Sequence, residues 1–131
     1  MIKIKLLARL AGTVRRTEGS TYTRKGQESL KIEQWIERKC WLKDASLQQA
    51  ADEAGVPKES MSRYFRRVYG KGFLQWRKEA RIGEAKVLLV KEKEIPTAII
   101  GEAVGINDKS DFRRQFRDLV GMTPAQWRKR S

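Results

Sequence analysis

The chain has no histidine and a single cysteine, and each scarcity removes a class of chemistry. Without histidine, the commonest general base and the commonest metal ligand are both missing. Cys40 has no second cysteine with which to form a disulfide or a thiolate zinc cluster. It falls in Ile36-Glu37-Arg38-Lys39-Cys40-Trp41, which reads as a helix end. There a small buried core residue is expected rather than a nucleophile without a histidine partner. No glycine-rich loop that could cradle a phosphate is present, and no apolar run approaches the roughly 18–20 residues of a membrane span. The expectation is a protein that is not an enzyme, with no catalytic residue, no metal and no cofactor. A lone thiol fits a reducing, cytoplasmic setting.

Positive charge, by contrast, is abundant. The 131 residues carry 29 Lys+Arg against 16 Asp+Glu, a formal net charge of +13. Such a field calls for a polyanionic partner, nucleic acid first and anionic membrane second. The beginning of the chain is ambiguous. Ile2, Ile4 and Leu6 alternate as in a short strand, whereas Leu6, Leu7 and Leu10 could line a helix, and Lys5 and Arg9 interrupt the run. From Gly12 to Gly26 the chain is rich in Thr, Ser, Gly, Arg and Lys without a period, as in a linker. Residues 1–27 therefore read as a basic arm, either a tether or a basic helix lying on a membrane surface. They are too few and too polar to form a ligand-sensing domain, so the chain is expected to be a stand-alone form or a piece of something longer.

From Leu30 onward the apolar spacing is helical and the alternation of strands is absent. Ile32, Trp35, Ile36 and Cys40 form one stripe. Ser46-Leu47-Gln48-Gln49 is a capping-box signature, followed by Leu47, Ala50, Ala51 and Ala54 facing inward and by Gly55. Met61, Tyr64, Phe65 and Val68 form the next stripe, closed by Gly70. The pattern then recurs: Ile100, Gly101 and Val104 precede Gly105, and Phe112, Phe116, Leu119 and Val120 precede Gly121, with the second turn one residue longer. A short helix, a glycine turn and a longer helix, twice over, predict an all-α chain of about seven helices in two helix-turn-helix units. Between them, Phe73 to about Lys93 runs without proline, its apolar residues suiting one long helix. Such a helix of about 30 Å is close to the roughly 34–36 Å between successive major-groove faces of B-DNA. The boundaries expected are 28–71 for the first unit, 72–93 for the linking helix and 94–131 for the second unit.

With the stripes turned inward, Lys58, Glu59, Ser62, Arg63, Arg66 and Arg67 are left outward on the first long helix. On the second, Lys109, Ser110, Arg113, Arg114 and Arg117 are left outward.

The residues Arg81-Ile82, Ala85 and Leu88-Leu89 resemble the linking helix of the AraC/XylS family of bacterial transcription regulators. Val104-Gly105-Ile106, Asp108, Ser110, Phe112, Phe116-Arg117 and Gly121-Met122-Thr123-Pro124-Ala125-Gln126-Trp127-Arg128 are similar to its second unit. The last stretch is also physically sensible, because Gly121 ends a helix, Thr123 caps the next and Pro124 takes its first position. The resemblance runs from Glu28 to Arg130. It implies sequence-specific binding of double-stranded DNA by a transcription regulator, an activator, with RNA polymerase as a further partner. It implies base reading by Glu59, Ser62, Arg63, Lys109, Ser110, Arg113 and Arg114, with Arg63 and Arg114 suited to bidentate contact with guanine. Lys58, Arg66, Arg67 and Arg117 would then hold backbone phosphates.

The chain departs from the family at Thr97 and Gly101, where a larger aliphatic residue and alanine are usual. It departs again at Pro57 and Pro96, where a capping Ser or Thr is common, and at Glu59, an acid on a DNA-facing helix. From propensity, Gly101→Ala should stabilise by up to about 1 kcal/mol if a methyl fits, and the second unit should be the softer one. The rival reading is a basic module docking on an anionic membrane or an acidic protein. An RNA partner is disfavoured by the narrow major groove of A-form helices. Since one chain carries two reading helices, a monomer is expected.

Overall fold

The computed structural model describes residues 24–131, so the strand-or-helix question over Met1–Arg9 and most of the expected arm lie outside the described residues. The described part is helical, with no strand: α1 (Arg24–Glu37), a 3-10 turn (Cys40–Leu42), α2 (Leu47–Ala54), α3 (Lys58–Tyr69), α4 (Phe73–Lys91), α5 (Thr97–Ala103), α6 (Lys109–Val120) and α7 (Pro124–Arg130). α1 begins at Arg24, inside the stretch that reads as linker. The chain divides into two compact units. One comprises the described residues up to Trp41 together with Ala45–Trp76, and the other comprises Leu42–Asp44 and Arg77–Ser131. The helix α4 thus gives its first four residues to the first unit and the rest to the second.

The first unit closes around aromatic rings. Phe65 is fully buried, with its centroid 4.9 Å from Trp76 and 5.2 Å from Phe73, and Trp41 stands edge-on to Trp76 at 5.8 Å. Burying an indole strands its N–H unless a partner is found. Here Trp41 Nε1 donates to the Ile36 carbonyl at 3.0 Å and Trp35 Nε1 to Glu53 Oε1 at 2.9 Å. At the start of α2 the capping box forms as expected: Ser46 Oγ accepts from the Gln49 amide, and Gln49 Oε1 accepts from the Ser46 amide. Cys40 is half-buried in the 3-10 turn and not a core residue.

Val68 is 46% exposed, contrary to the inward position expected of it. Its neighbour Tyr69 takes the place beside the core, with its ring 5.5 Å from Phe65 and 5.3 Å from Trp76. The inward ridge of α3 therefore runs through Met61, Phe65 and the half-buried Tyr69, with Tyr64 buried beside it, rather than ending at i+7. The same correction holds on α6. Leu119 is 40% exposed, while Val120, four residues after Phe116, packs against the second core.

That second core joins Ile82, Ala85 and Leu89 of α4 to Ile100, Val104, Ile106, Phe112 and Phe116. Two features hold it that no local pattern shows. Arg81, 7% exposed, donates to the carbonyls of Leu42 and Lys43, tying the short segment Leu42–Asp44 into this unit. Burial first, and the nearby Arg77 second, push the Arg81 guanidinium down to about 10, with Asp44 acting in the opposite direction. Gly105, at φ +91°, lies against the same segment: a Cβ there would stand 2.1 Å from the Leu42 carbonyl oxygen.

Gly101 corrects an expectation as well. A Cβ on it would fall 2.7 Å from Phe112 Cγ and 3.1 Å from Phe112 Cβ, and Phe112 is buried to 1%. No methyl fits between α5 and α6, so Gly101→Ala forces the phenyl ring to move and outweighs the helix-propensity gain.

At the end of the chain, Thr123 and Gln126 form a second capping box with Pro124 in the first turn. The indole N–H of Trp127 donates to the Lys86 carbonyl at 3.1 Å. Arg128 donates to the carbonyls of Leu89 at 2.9 Å and Glu92 at 3.1 Å, satisfying groups that the end of α4 would leave unpaired.

Candidate nucleic-acid interface

Each unit sets a short helix, a left-handed glycine turn and a longer amphipathic helix in succession. Gly55 at φ +82° and Gly105 at φ +91° make the turns. In the first unit α2 and α3 are joined this way, and Met61, Tyr64 and Phe65 anchor α3 inward. In the second unit the pair is α5 and α6, with Phe112 and Phe116 as anchors. Anchoring by large rings decides which face of each long helix is left to solvent.

On α3, that face carries exposed Lys58, Glu59, Arg63, Arg66 and Arg67, with Ser62 half-buried. On α6 it carries exposed Lys109, Ser110, Arg113, Arg114 and Arg117. Every position expected to face a partner is thus at least partly open, and both faces are dominated by cations. Glu59 is the only acid on α3, whereas α6 contains Asp111 and Asp118.

The two helix starts differ. Pro57 precedes α3 and supplies no side-chain cap to its first amide groups. Asp108 precedes α6, and its Oδ1 accepts from the Asp111 amide at 2.8 Å. A carboxylate already occupies that helix end, which makes it less inviting to an anion than the uncapped start of α3.

The arginines best suited to base contact are also not free rods. Arg63 Nη2 donates to Ser60 Oγ at 3.3 Å, and the Ser60 hydroxyl donates to Glu28 Oε2 at 3.0 Å. Arg114 pairs with the Asp111 carboxylate, whose second oxygen accepts from Gln115 Nε2 at 3.1 Å. Arg67 donates to the buried Ser29 hydroxyl at 3.1 Å and lies 5.8 Å from the centroid of Tyr64. Sequence reasoning named the arginines and missed Glu28, Ser29, Ser60 and Asp111. The spacing of Ser60 to Arg63 and of Asp111 to Arg114, three residues on one helix face, was the only local signal for any of them. Glu28 and Ser29 come from α1 and left no such trace.

The class that these units define is the helix-turn-helix domain. Residues 50–130 match the family model described as a helix-turn-helix domain, and the chain belongs to this AraC-type family of DNA-binding transcription regulators. The arabinose operon regulatory protein of Escherichia coli K12 is 37% identical over 68 residues, 52% of this chain and 23% of that protein. The chain therefore spans about a quarter of the length of that relative. Among solved structures, the C-terminal domain of the response regulator yesN of Fusobacterium nucleatum is similar, with 25% identity and a TM-score of 0.63 over 72% of this chain and 92% of that one. The DNA-binding domain of AdpA, solved in complex with a target DNA, shares the fold at 21% identity, with a TM-score of 0.65 over 73% of this chain and 87% of that one.

Proposed function

We propose that this chain binds duplex DNA at specific sequences and regulates transcription, by activation, with α3 and α6 each entering a major groove. The observation that carries the reading is the doubled arrangement. In each unit a buried aromatic ridge fixes a long helix whose opposite face presents several arginines. Family membership favours DNA over an anionic membrane or an acidic protein. Among the described residues no helix is long and apolar enough to cross a membrane.

In this reading Glu59, Ser62, Arg63, Lys109, Ser110, Arg113 and Arg114 face base edges, while Lys58, Arg66, Arg67 and Arg117 hold phosphates. Glu59 accepts from a cytosine amine, the base-edge contact typical of a carboxylate. The two reading faces differ in sequence, so one protein should occupy a site without two-fold symmetry, bound as a monomer. RNA polymerase is the further partner that activation requires.

Selection from random duplexes, followed by salt titration of the best site, tests this. About six to eight phosphate contacts should give a slope of log K against log salt near −5 to −7. Arg63→Ala and Arg114→Ala should each cost about 1–3 kcal/mol on that site and relax preference at a few base pairs, whereas Arg67→Ala should weaken all sequences alike. A slope near zero, or equal affinity for every duplex, overturns the proposal. An inverted-repeat motif overturns the monomeric form of it.

A further inference from the structure

Beside the reading face of α3, the structure opens a cleft of about 500 Å³ against α1. We propose that this cleft is a seat for a phosphate oxyanion, supplied either by a DNA strand or by a free phosphorylated small molecule. Only the first source rests on the DNA-binding reading.

The wall chemistry selects the ligand class. Lys25 reaches the cleft from α1, and Arg63, Arg66 and Arg67 reach it from α3. Their only acidic companion on the wall is Glu28, and its Oε2 already accepts from Ser60. A cation is repelled from such a site, and a neutral ligand would leave the clustered positive charge uncompensated. Deeper in the wall are two nearly buried hydroxyls, Ser29 at 6% and Ser60 at 9% exposure. Each accepts from a guanidinium of the rim, Ser29 from Arg67 and Ser60 from Arg63.

Those bonds keep two arginines turned toward the cleft while using a fraction of the five N–H donors that each possesses. The Tyr64 ring flanks Arg67 as well. Several planar donor forks and an ammonium lining one cleft offer more donors than the two oxygens of a carboxylate can accept, and match the three or four oxygens of a phosphate. The volume exceeds a bare phosphate and leaves room for the sugar or chain that carries it. Seating therefore fills a space that lies directly against base-reading Arg63.

Two measurements on the intact chain test the seat. Amide shifts are followed while inorganic phosphate replaces chloride at constant ionic strength. Saturable shifts are expected at Lys25, Ser29, Ser60 and Arg67, and loss of them in Arg67→Ala and Ser29→Ala. In parallel, the salt dependence of duplex binding is compared between the native chain and Lys25→Ala, an exposed position where folding is not at stake. A slope shallower by about one, with the selected motif unchanged, identifies the DNA strand as the source. Saturable phosphate shifts without any change in slope identify a free phosphorylated molecule. If phosphate saturates the cleft but no duplex binds at all, the seat stands and the DNA-binding reading falls. Unsaturable shifts spread over both units, together with an unchanged slope, overturn the seat.

Discussion

The two helix-turn-helix units follow one plan, yet equivalent positions carry different burdens. Gly55 and Gly105 both turn the chain left-handed between a short and a long helix. Around Gly55, the nearest atom a Cβ would meet is Lys31 Cδ at 3.9 Å. Around Gly105, the same Cβ would collide with the backbone oxygen of Leu42. The first glycine serves conformation alone, and the second also serves a close approach of two backbone segments. A repeat in sequence thus does not make a repeat in energetics, because what each turn packs against differs.

That contrast gives the largest expected effect. Gly105→Ala should destabilise the second unit by about 3 kcal/mol or more, combining left-handed strain with a clash that no side-chain rotation relieves. Gly55→Ala should cost about 1–2 kcal/mol, the strain alone. Urea unfolding of both variants measures this, and equal losses would break the comparison.

The difference between the turns marks what was legible in the sequence. The four glycines that end helices, the capping box at Ser46 and the cap at Thr123 were readable, because a cap or a turn is settled within a few residues. So were the outward basic faces of α3 and α6, since the large inward anchors of each helix leave little choice. The choice between Val68 and Tyr69, or between Leu119 and Val120, was not readable: adjacent residues at a helix end satisfy the periodicity about equally, and the neighbouring core decides. The strap of Leu42–Asp44 held by Arg81 and Gly105 was hidden for another reason. Its partners are nearly forty residues apart, as in the bond from Arg81 to Lys43. Likewise, Lys25, Glu28 and Ser29 belong to the surroundings of α3 only through folding.

A middle-sized effect sharpens the comparison at the helix crossing. Gly101 and Ala51 are counterparts, both buried. Gly101→Ala should destabilise by about 1–3 kcal/mol, because the buried Phe112 ring must give way. Ala51→Gly, where a methyl is already accommodated, should cost about 1 kcal/mol from helix propensity, plus the packing of that methyl. Both changes are then unfavourable in opposite chemical directions. A stabilised Gly101→Ala chain in thermal or urea unfolding would mean that Phe112 repacks at little cost. The crossing in the second unit would then be as tolerant as propensity alone suggests.

The smallest expected effect concerns the pairs that steady Arg63 and Arg114, the arginines proposed to read bases. Arg114 is held by a charged partner, Asp111, and Arg63 by a neutral one, Ser60. An exposed ion pair contributes only about 0.2–1 kcal/mol to folding and a typical hydrogen bond about 0.5–1.5 kcal/mol, so neither substitution should unfold the chain. On DNA, the two should diverge in sign. Asp111→Asn removes a negative charge facing the polyanion and loosens the Arg114 guanidinium at once. Binding to non-specific duplex should rise slightly, while preference at the base pair read by Arg114 falls, so the ratio of specific to non-specific affinity drops. Ser60→Ala changes no charge. It frees Arg63 from its hydroxyl partner and leaves the Glu28 carboxylate without its hydroxyl donor. Preference at the Arg63 position should weaken with no gain on non-specific DNA. Paired measurements on the selected site and on an unrelated duplex, at one salt concentration, resolve the two patterns. Identical behaviour of the two variants would mean that these side chains are bystanders, and that reading depends on the arginines alone.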